Sequence, residues 1–230
     1  MTPAIDLPKF PSLDFEQSLW ESGFARVAGI DEAGRGAWAG PVYAAAVILP
    51  TDPSLPRILN RVRDSKLMTP AEREAWAPRI REIAQAWGVG SASAEEIDAL
   101  GIVRATKLAA TRALACFASF PSSSPYPLSP SFPSSVLPPD YLLTDYLLFP
   151  NLDIPQTALV KGDRRSLSVA AASVLAKTAR DAHMRELDGN YPGYGFARHK
   201  GYGTQIHQHA LRTLGACEIH RKSFAILSSQ

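Results

Sequence analysis

Four acidic side chains stand where ordinary folding would not put them. Asp31 and Glu32 close the apolar run "FARVAGI", Asp145 follows "YLLT", and Asp163 follows "ALVKG". A buried carboxylate without a partner is expensive, so each position needs a reason. Helix capping or a salt bridge at a strand end is adequate for any one of them, whereas all four together favour a shared cause. Carboxylates gathered in space raise one another's pKa unless cations neutralise them. Mg²⁺ takes a few carboxylate oxygens while keeping water and substrate phosphate oxygens in its shell. Two such ions about 4 Å apart can activate a water and stabilise the leaving oxygen in phosphoryl transfer. The residue types therefore point to metal-dependent phosphodiester chemistry.

Neighbouring strand residues face opposite ways. Asp31 and Glu32 can share one metal cluster only if the strand breaks between or just after them. Gly34 and Gly36 in "DEAGRGAWAG" permit such a break. They also bare backbone N–H groups to which phosphate or sugar oxygens could bond.

The elements that would hold these residues are readable from pattern. "FARVAGID" and "VYAAAVIL" read as neighbouring strands, the second buried on both faces. The ten residues between Asp31 and Val42 favour an antiparallel connection. Thr69-Pro70-Ala71-Glu72 and Ser93-Ala94-Glu95-Glu96 are capping boxes. The first opens a helix expected to run to about Trp87, with Pro78 as a kink or early break. "WGVGSA" is expected as a short strand and "IVRATKLAATRALACFA" as a helix. "YLLTDYLL" and "QTALVKG" read as strands, "SLSVAAASVLAKTARDAHMREL" as the strongest helix, and "TQIHQHALRTLG" as a short helix stopped by Gly215. Strands clustered early with helices on either side make an α/β domain with a mixed sheet. Residues 119–139 hold 15 Ser or Pro among 21, too few packing side chains for helix or sheet, and read as an inserted loop.

The chain has 230 residues and a formal net charge of +2. Residues 1–160 carry 13 Lys/Arg against 17 Asp/Glu, and residues 161–230 carry 11 against 5. A basic C-terminal third suits a polyanion-binding surface. Cys116 and Cys217 are isolated, which argues against zinc and a disulfide framework. The N-terminus lacks the pattern of a signal peptide, and no apolar run approaches a membrane span. A cytosolic protein without membrane partners is expected.

The motifs resemble those of one family. "GIDEAGRGAWAGPVYAAAVILP", "DSKLMTPAERE", "EIDALGIVRATKLAATRAL", "LLTD", "ALVKGDRRSLSVAAASVLAKTARD" and "YPGYGFARHKGYGT…H…GACEIHRKSFA" follow one another through most of residues 27–227. In this order they resemble the bacterial type 2 ribonuclease H family, ribonuclease HII. The resemblance implies a ribonuclease-H-like α/β fold, a mixed central sheet flanked by helices with a C-terminal helical extension. It implies an extension over residues 1–22 and a catalytic domain over 23–230 that contains the 119–139 insertion. It also implies Mg²⁺ or Mn²⁺, cleavage of RNA in RNA/DNA hybrids, and incision 5′ of ribonucleotides embedded in duplex DNA.

Carried over by motif, the catalytic acids are Asp31, Glu32, Asp145 and Asp163, the first three as metal ligands. Gly34, Arg35 and Gly36 match the segment that reads the ribose 2′-hydroxyl, and a protein choosing RNA must approach that group closely. Tyr202 matches a tyrosine packed on the 3′ deoxyribose. Lys66, Ser173, Lys177 and the Arg198-His199-Lys200 run are candidate phosphate contacts, and Asp181 is expected in a supporting salt bridge. Tyr146 stands where the family often has glycine. The alternatives are a non-catalytic hybrid-binding protein and a metal-dependent phosphatase; the first has no use for the acids, the second none for the "GRG" segment. A monomer suffices for the nuclease chemistry.

Overall fold

The computed structural model describes residues 7–118 and 138–224. In chain order it contains α1 (Asp14–Glu21), β1 (Val27–Ala33), β2 (Val42–Ile48), α2 (Leu55–Ile58), α3 (Pro70–Ile83), β3 (Ala86–Ala92), α4 (Ala94–Leu100) and α5 (Ile102–Ala118). Then follow β4 (Tyr141–Asp145), β5 (Gln156–Leu159), α6 (Leu167–Asn190), α7 (Phe196–His199) and α8 (Gln205–Leu214). Single 3-10 turns occupy Ser65–Leu67 and Gly162–Arg164.

The five strands form one mixed sheet in the order β3-β2-β1-β4-β5. β1 pairs antiparallel with β2, and β2 with β3, while β1, β4 and β5 run parallel. The short link between β1 and β2 enforces the antiparallel hairpin; β4 enters beside β1 only after α4 and α5 have crossed the sheet. Every residue of β2 is buried, because helices cover both faces. Ala45 and Val47 pack with α3 and α6 residues such as Ile80, Ala171 and Leu175. Ala44, Ala46 and Ile48 pack with Ala105, Ala109 and Ala113 of α5 on the other side. α6 presses so closely on β1 that a Cβ on Gly29 would lie 2.2 Å from the Ser168 carbonyl carbon, so the position admits only glycine.

Both capping boxes form, at Thr69/Glu72 and Ser93/Glu96. The helix opened at Thr69 runs through Pro78 and ends at Ile83, short of the expected Trp87. The Gln85 amide already donates to the Ile48 carbonyl at 2.8 Å, and Trp87 belongs to β3, opposite Val47. β4 is shorter than the expected strand. It stops at Asp145 because Tyr146 takes φ +67°, a left-handed conformation that cannot continue a strand.

Sequence pattern does not anticipate the short helices α1, α2 and α7. α1 is fastened by Glu16, whose buried Oε1 accepts from the Ser166 and Ser168 hydroxyls and the Ser168 amide at the start of α6, where helix-end N–H groups favour an anion. α7 and α8 gather on the far end of α6 around Ala39, Met184, Tyr194, Phe196 and Ala210. The expected insertion at 119–139 lies outside the described residues except for Pro138 and Pro139. No described helix is long and apolar enough to cross a membrane.

Candidate metal centre and nucleic-acid cleft

β1 and β4 are parallel neighbours, so their carboxyl ends lie side by side. Asp31 shares the α6 face of β1 with Gly29, and Asp145 shares that face of β4 with Leu143, by the two-residue alternation of strands. Asp163 comes from the 3-10 turn that leads from β5 into α6. One carboxylate oxygen from each of Asp31, Asp145 and Asp163 lies within 4.8 Å of the others. Local bonds orient two of them: Asp31 Oδ1 accepts from the Glu32 amide at 2.7 Å, and Asp145 Oδ1 from the Gly162 amide at 2.7 Å.

Glu32 stands outside this trio. It belongs to the opposite face of β1, in register with Ala44, and the strand breaks only after Ala33, at Gly34 with φ +94°. Its Oε1 accepts from Arg35 Nη1 at 3.1 Å.

The electrostatics of the trio are unfavourable without a cation. Burial, then the charges of Glu32, Asp145 and Asp163, pushes the Asp31 pKa well above the usual carboxylate range. Burial, Asp64 and Asp145 raise Asp163 to about 7. Burial also raises Asp145, and raises Glu32 despite the Arg35 guanidinium. Three hard oxygen donors, with Asp31 only 3% exposed, fit a divalent ion of the Mg²⁺ or Mn²⁺ type. Lys66 is a nearby cation, as is Arg35. Burial alone would lower the Lys66 pKa, but the fields of Asp31, Asp64, Asp163 and Asp145 raise it overall.

Asp64 is the acid that sequence reasoning missed. It shares a hydrogen bond with Asp163 and caps the 65–67 turn by accepting from the Lys66 amide at 2.9 Å. Its signal was present in "DSK", where only the lysine was singled out.

Beside the acids opens a cleft of about 460 Å³ lined by Glu32, Ala33, Gly34, Arg35, Gly36, Ser65, Lys66, Arg73, Lys177 and Tyr202. Six of the ten residues expected to meet nucleic acid, Gly34, Arg35, Gly36, Lys66, Lys177 and Tyr202, therefore share one surface. Ser173 does not. It is buried, its hydroxyl donates to the Ala170 carbonyl and accepts from the Ser65 amide, so it clamps the 65–67 turn to α6 and is closed to phosphate. His199 is also buried, with Nε2 on the Tyr194 carbonyl and Nδ1 accepting from the Gly201 amide, which removes it from the expected phosphate contacts. Arg198 is exposed. Asp181 sits in the expected ion pairs, 2.7 Å from Lys177 and 3.2 Å from Arg73. Lys177 and Arg180 lie 5.4 and 5.3 Å from the centre of the Tyr202 ring.

A mixed five-stranded sheet between helices, with three acids meeting at the ends of its parallel strands, defines a ribonuclease-H-like nuclease architecture. The family model for ribonuclease HII matches residues 28–227. A ribonuclease HII from Synechococcus sp. (strain JA-3-3Ab) is 50% identical over 217 residues, covering 94% of this chain and 89% of that protein. One from Thermus thermophilus is 49% identical over 210 residues, covering 91% of each. The crystal structure of ribonuclease H2 from Pyrococcus horikoshii OT3 superposes with a TM-score of 0.64 at 23% identity, over 88% of this chain and 95% of that one. The chain belongs to the ribonuclease HII family, metal-dependent endoribonucleases that act on RNA/DNA hybrids.

Proposed function

We propose that this chain incises duplex DNA on the 5′ side of an embedded ribonucleotide, as well as RNA in hybrids, leaving a 3′-hydroxyl and a 5′-phosphate. The observation that carries the reading is the meeting of Asp31, Asp145 and Asp163 within 4.8 Å beside a cleft that contains Gly34–Gly36 and Tyr202. Asp31 and Asp145 are the principal metal ligands, with Asp163 completing the trio and Glu32, close enough for its charge to raise Asp31, as the further acid at the edge of the ion group. Mg²⁺ or Mn²⁺ held there supplies positive charge for water activation and for the departing 3′ oxygen. The protein's own part is positional. Lys66, Lys177 and Arg35 draw the phosphate backbone into the cleft, the Gly34–Gly36 backbone approaches the 2′-hydroxyl, and Tyr202 offers its ring to the next sugar. A monomer carries every one of these groups. The proposed domain is residues 23–230.

The test is a duplex with a single ribonucleotide, incubated with Mg²⁺, Mn²⁺ or EDTA. Nicking beside the ribose only in the presence of metal supports the reading. Tight binding without nicking would make the chain a hybrid-binding protein, and release of phosphate from small esters would make it a phosphatase.

A further inference from the structure

Arg221 is completely buried, in the C-terminal segment that follows α8. Lysines and arginines almost never reach this state unless paired, yet no carboxylate forms an ion pair with Arg221 among the described residues. Carbonyls satisfy it instead. Nη1 donates to the Arg35 carbonyl at 2.8 Å, Nη2 to the Gly34 and Gly40 carbonyls at 2.7 and 2.9 Å, and Nε to the Gly40 carbonyl at 3.0 Å. Backbone bonds bring the same two segments together: the Arg221 amide donates to the Trp38 carbonyl at 2.8 Å, and the Gly40 amide to the Ile219 carbonyl at 2.8 Å.

These bonds have a consequence for the cleft. Two successive carbonyls, those of Gly34 and Arg35, are turned inward onto one rigid planar fork. The backbone N–H groups of Arg35 and Gly36 donate to no acceptor among the described residues, and both residues line the cleft. An arginine fork fixes two acceptors at once, which the single ammonium of lysine cannot do. The segment that carries the fork is tied to α4 by Asp98, which accepts from the Lys222 and Ser223 amides at 2.9 and 2.8 Å and from the Ser223 hydroxyl at 2.6 Å.

We propose that Arg221 is a positioning residue for ribose selection: its buried guanidinium holds the Gly34–Arg35 carbonyls inward so that the loop presents its N–H groups to the 2′-hydroxyl. The proposal rests on the reading of the Gly34–Gly36 loop given above. It assigns to a residue distant in sequence, and out of contact with substrate, control over discrimination between RNA and DNA.

The experiment compares dissociation constants for two duplexes of one sequence, one with a single ribonucleotide and one all-DNA, in an Asp31→Asn background that prevents cleavage. Arg221→Lys keeps the charge and loses the fork. The expected result is a fall of about tenfold in the preference for the ribonucleotide duplex, while affinity for the all-DNA duplex changes by less than about threefold. A merely structural role would weaken both duplexes together, or lower the melting temperature and leave the preference intact; either result overturns the proposal. Should Arg221→Lys fail to fold, Asp98→Asn loosens the same segment without touching the guanidinium, and an unchanged preference in that variant overturns the proposal equally. A parent protein that shows no preference at all overturns the loop reading itself, whereas a strong preference untouched by Arg221→Lys sinks only the role given to Arg221.

Discussion

The molecule concentrates like charges at two places and resolves them differently. At the ends of β1 and β4, Asp31, Asp145 and Asp163 crowd together and their pKa values rise. Behind the Gly34–Gly40 loop, Arg180 and Arg221 are both wholly buried, and burial lowers the pKa of each. The arginines are complete within the chain. Arg180 donates to the carbonyls of Pro41, Lys200 and Ala39, much as Arg221 does to its own set. Among the described residues the acids have two amide donors between Asp31 and Asp145, too few to offset three crowded carboxylates without a cation. A charge cluster answered by the backbone is architecture, whereas one left unanswered is a site awaiting a ligand.

The sharpest way to break this contrast is to neutralise one acid. Asp31→Asn should reduce incision at least about a thousandfold while hybrid affinity stays within a few-fold; persistent nicking in a gel assay would remove the acids from the chemistry. Next in size is the opposite pole. Arg180→Met should destabilise the fold by about 3 kcal/mol, because three carbonyls lose their donor in a dry setting. Urea unfolding measures this, and a loss below about 1 kcal/mol would show that water replaces the guanidinium.

A third effect is pH-dependent. Asp163 has a pKa of about 7 in the fold against about 3.9 in an unfolded chain. The folded state therefore binds the proton more tightly, and metal-free stability falls as pH rises through that window. His207, pushed down to about 4 chiefly by burial, acts in the reverse sense between about 4 and 6.5. His183 and His220, lowered likewise by burial, act in the same sense as His207, and unfolded imidazoles still titrate somewhat above about 6.5, so the acid is isolated by comparing the parent with Asp163→Asn. Between about pH 6.5 and 8 the melting temperature in EDTA should fall for the parent relative to Asp163→Asn, and Mg²⁺ or Mn²⁺ should restore the parent at the upper end. Parallel profiles for the two proteins would contradict the crowding of the acids. The smallest effect concerns Tyr146, which is 69% exposed and held at φ +67°. Tyr146→Gly should stabilise by about 0.5 kcal/mol, the relief of left-handed strain less the added freedom of the unfolded chain; urea unfolding that shows a loss instead would mean the ring packs usefully where it stands.

Much of this arrangement was legible in residue order. Short apolar runs located β1 and β2, hydroxyl-Glu pairs located the starts of α3 and α4, and acids ending apolar runs located the acidic cluster. Burial of polar groups was not legible. Ser173 sits in the Ala-rich run before Lys177 and His199 between Arg198 and Lys200, so each reads as a polar group free to meet phosphate, and only packing shows that their hydrogen bonds are spent inside the protein. Arg180 and Arg221 read as part of a basic surface for the same reason, although neither reaches solvent. Asp64 was hidden because, unlike the four acids singled out, it does not end an apolar run, and its partner Asp163 lies about a hundred positions away. The end of α3 was missed because Trp87 continues an apolar pattern whose period changes at Gln85, where pairing with β2 begins.

β2 has consequences beyond shape. Its seven residues are shielded on both faces and hydrogen-bonded along both edges, so solvent reaches its amides only when the whole domain opens. In a deuterium-exchange measurement the Ala44–Val47 amides should be the last to be labelled. Asp31 sits opposite Ala45 in that ladder, which anchors the acidic trio to the slowest-breathing part of the molecule and keeps local fluctuation out of its geometry.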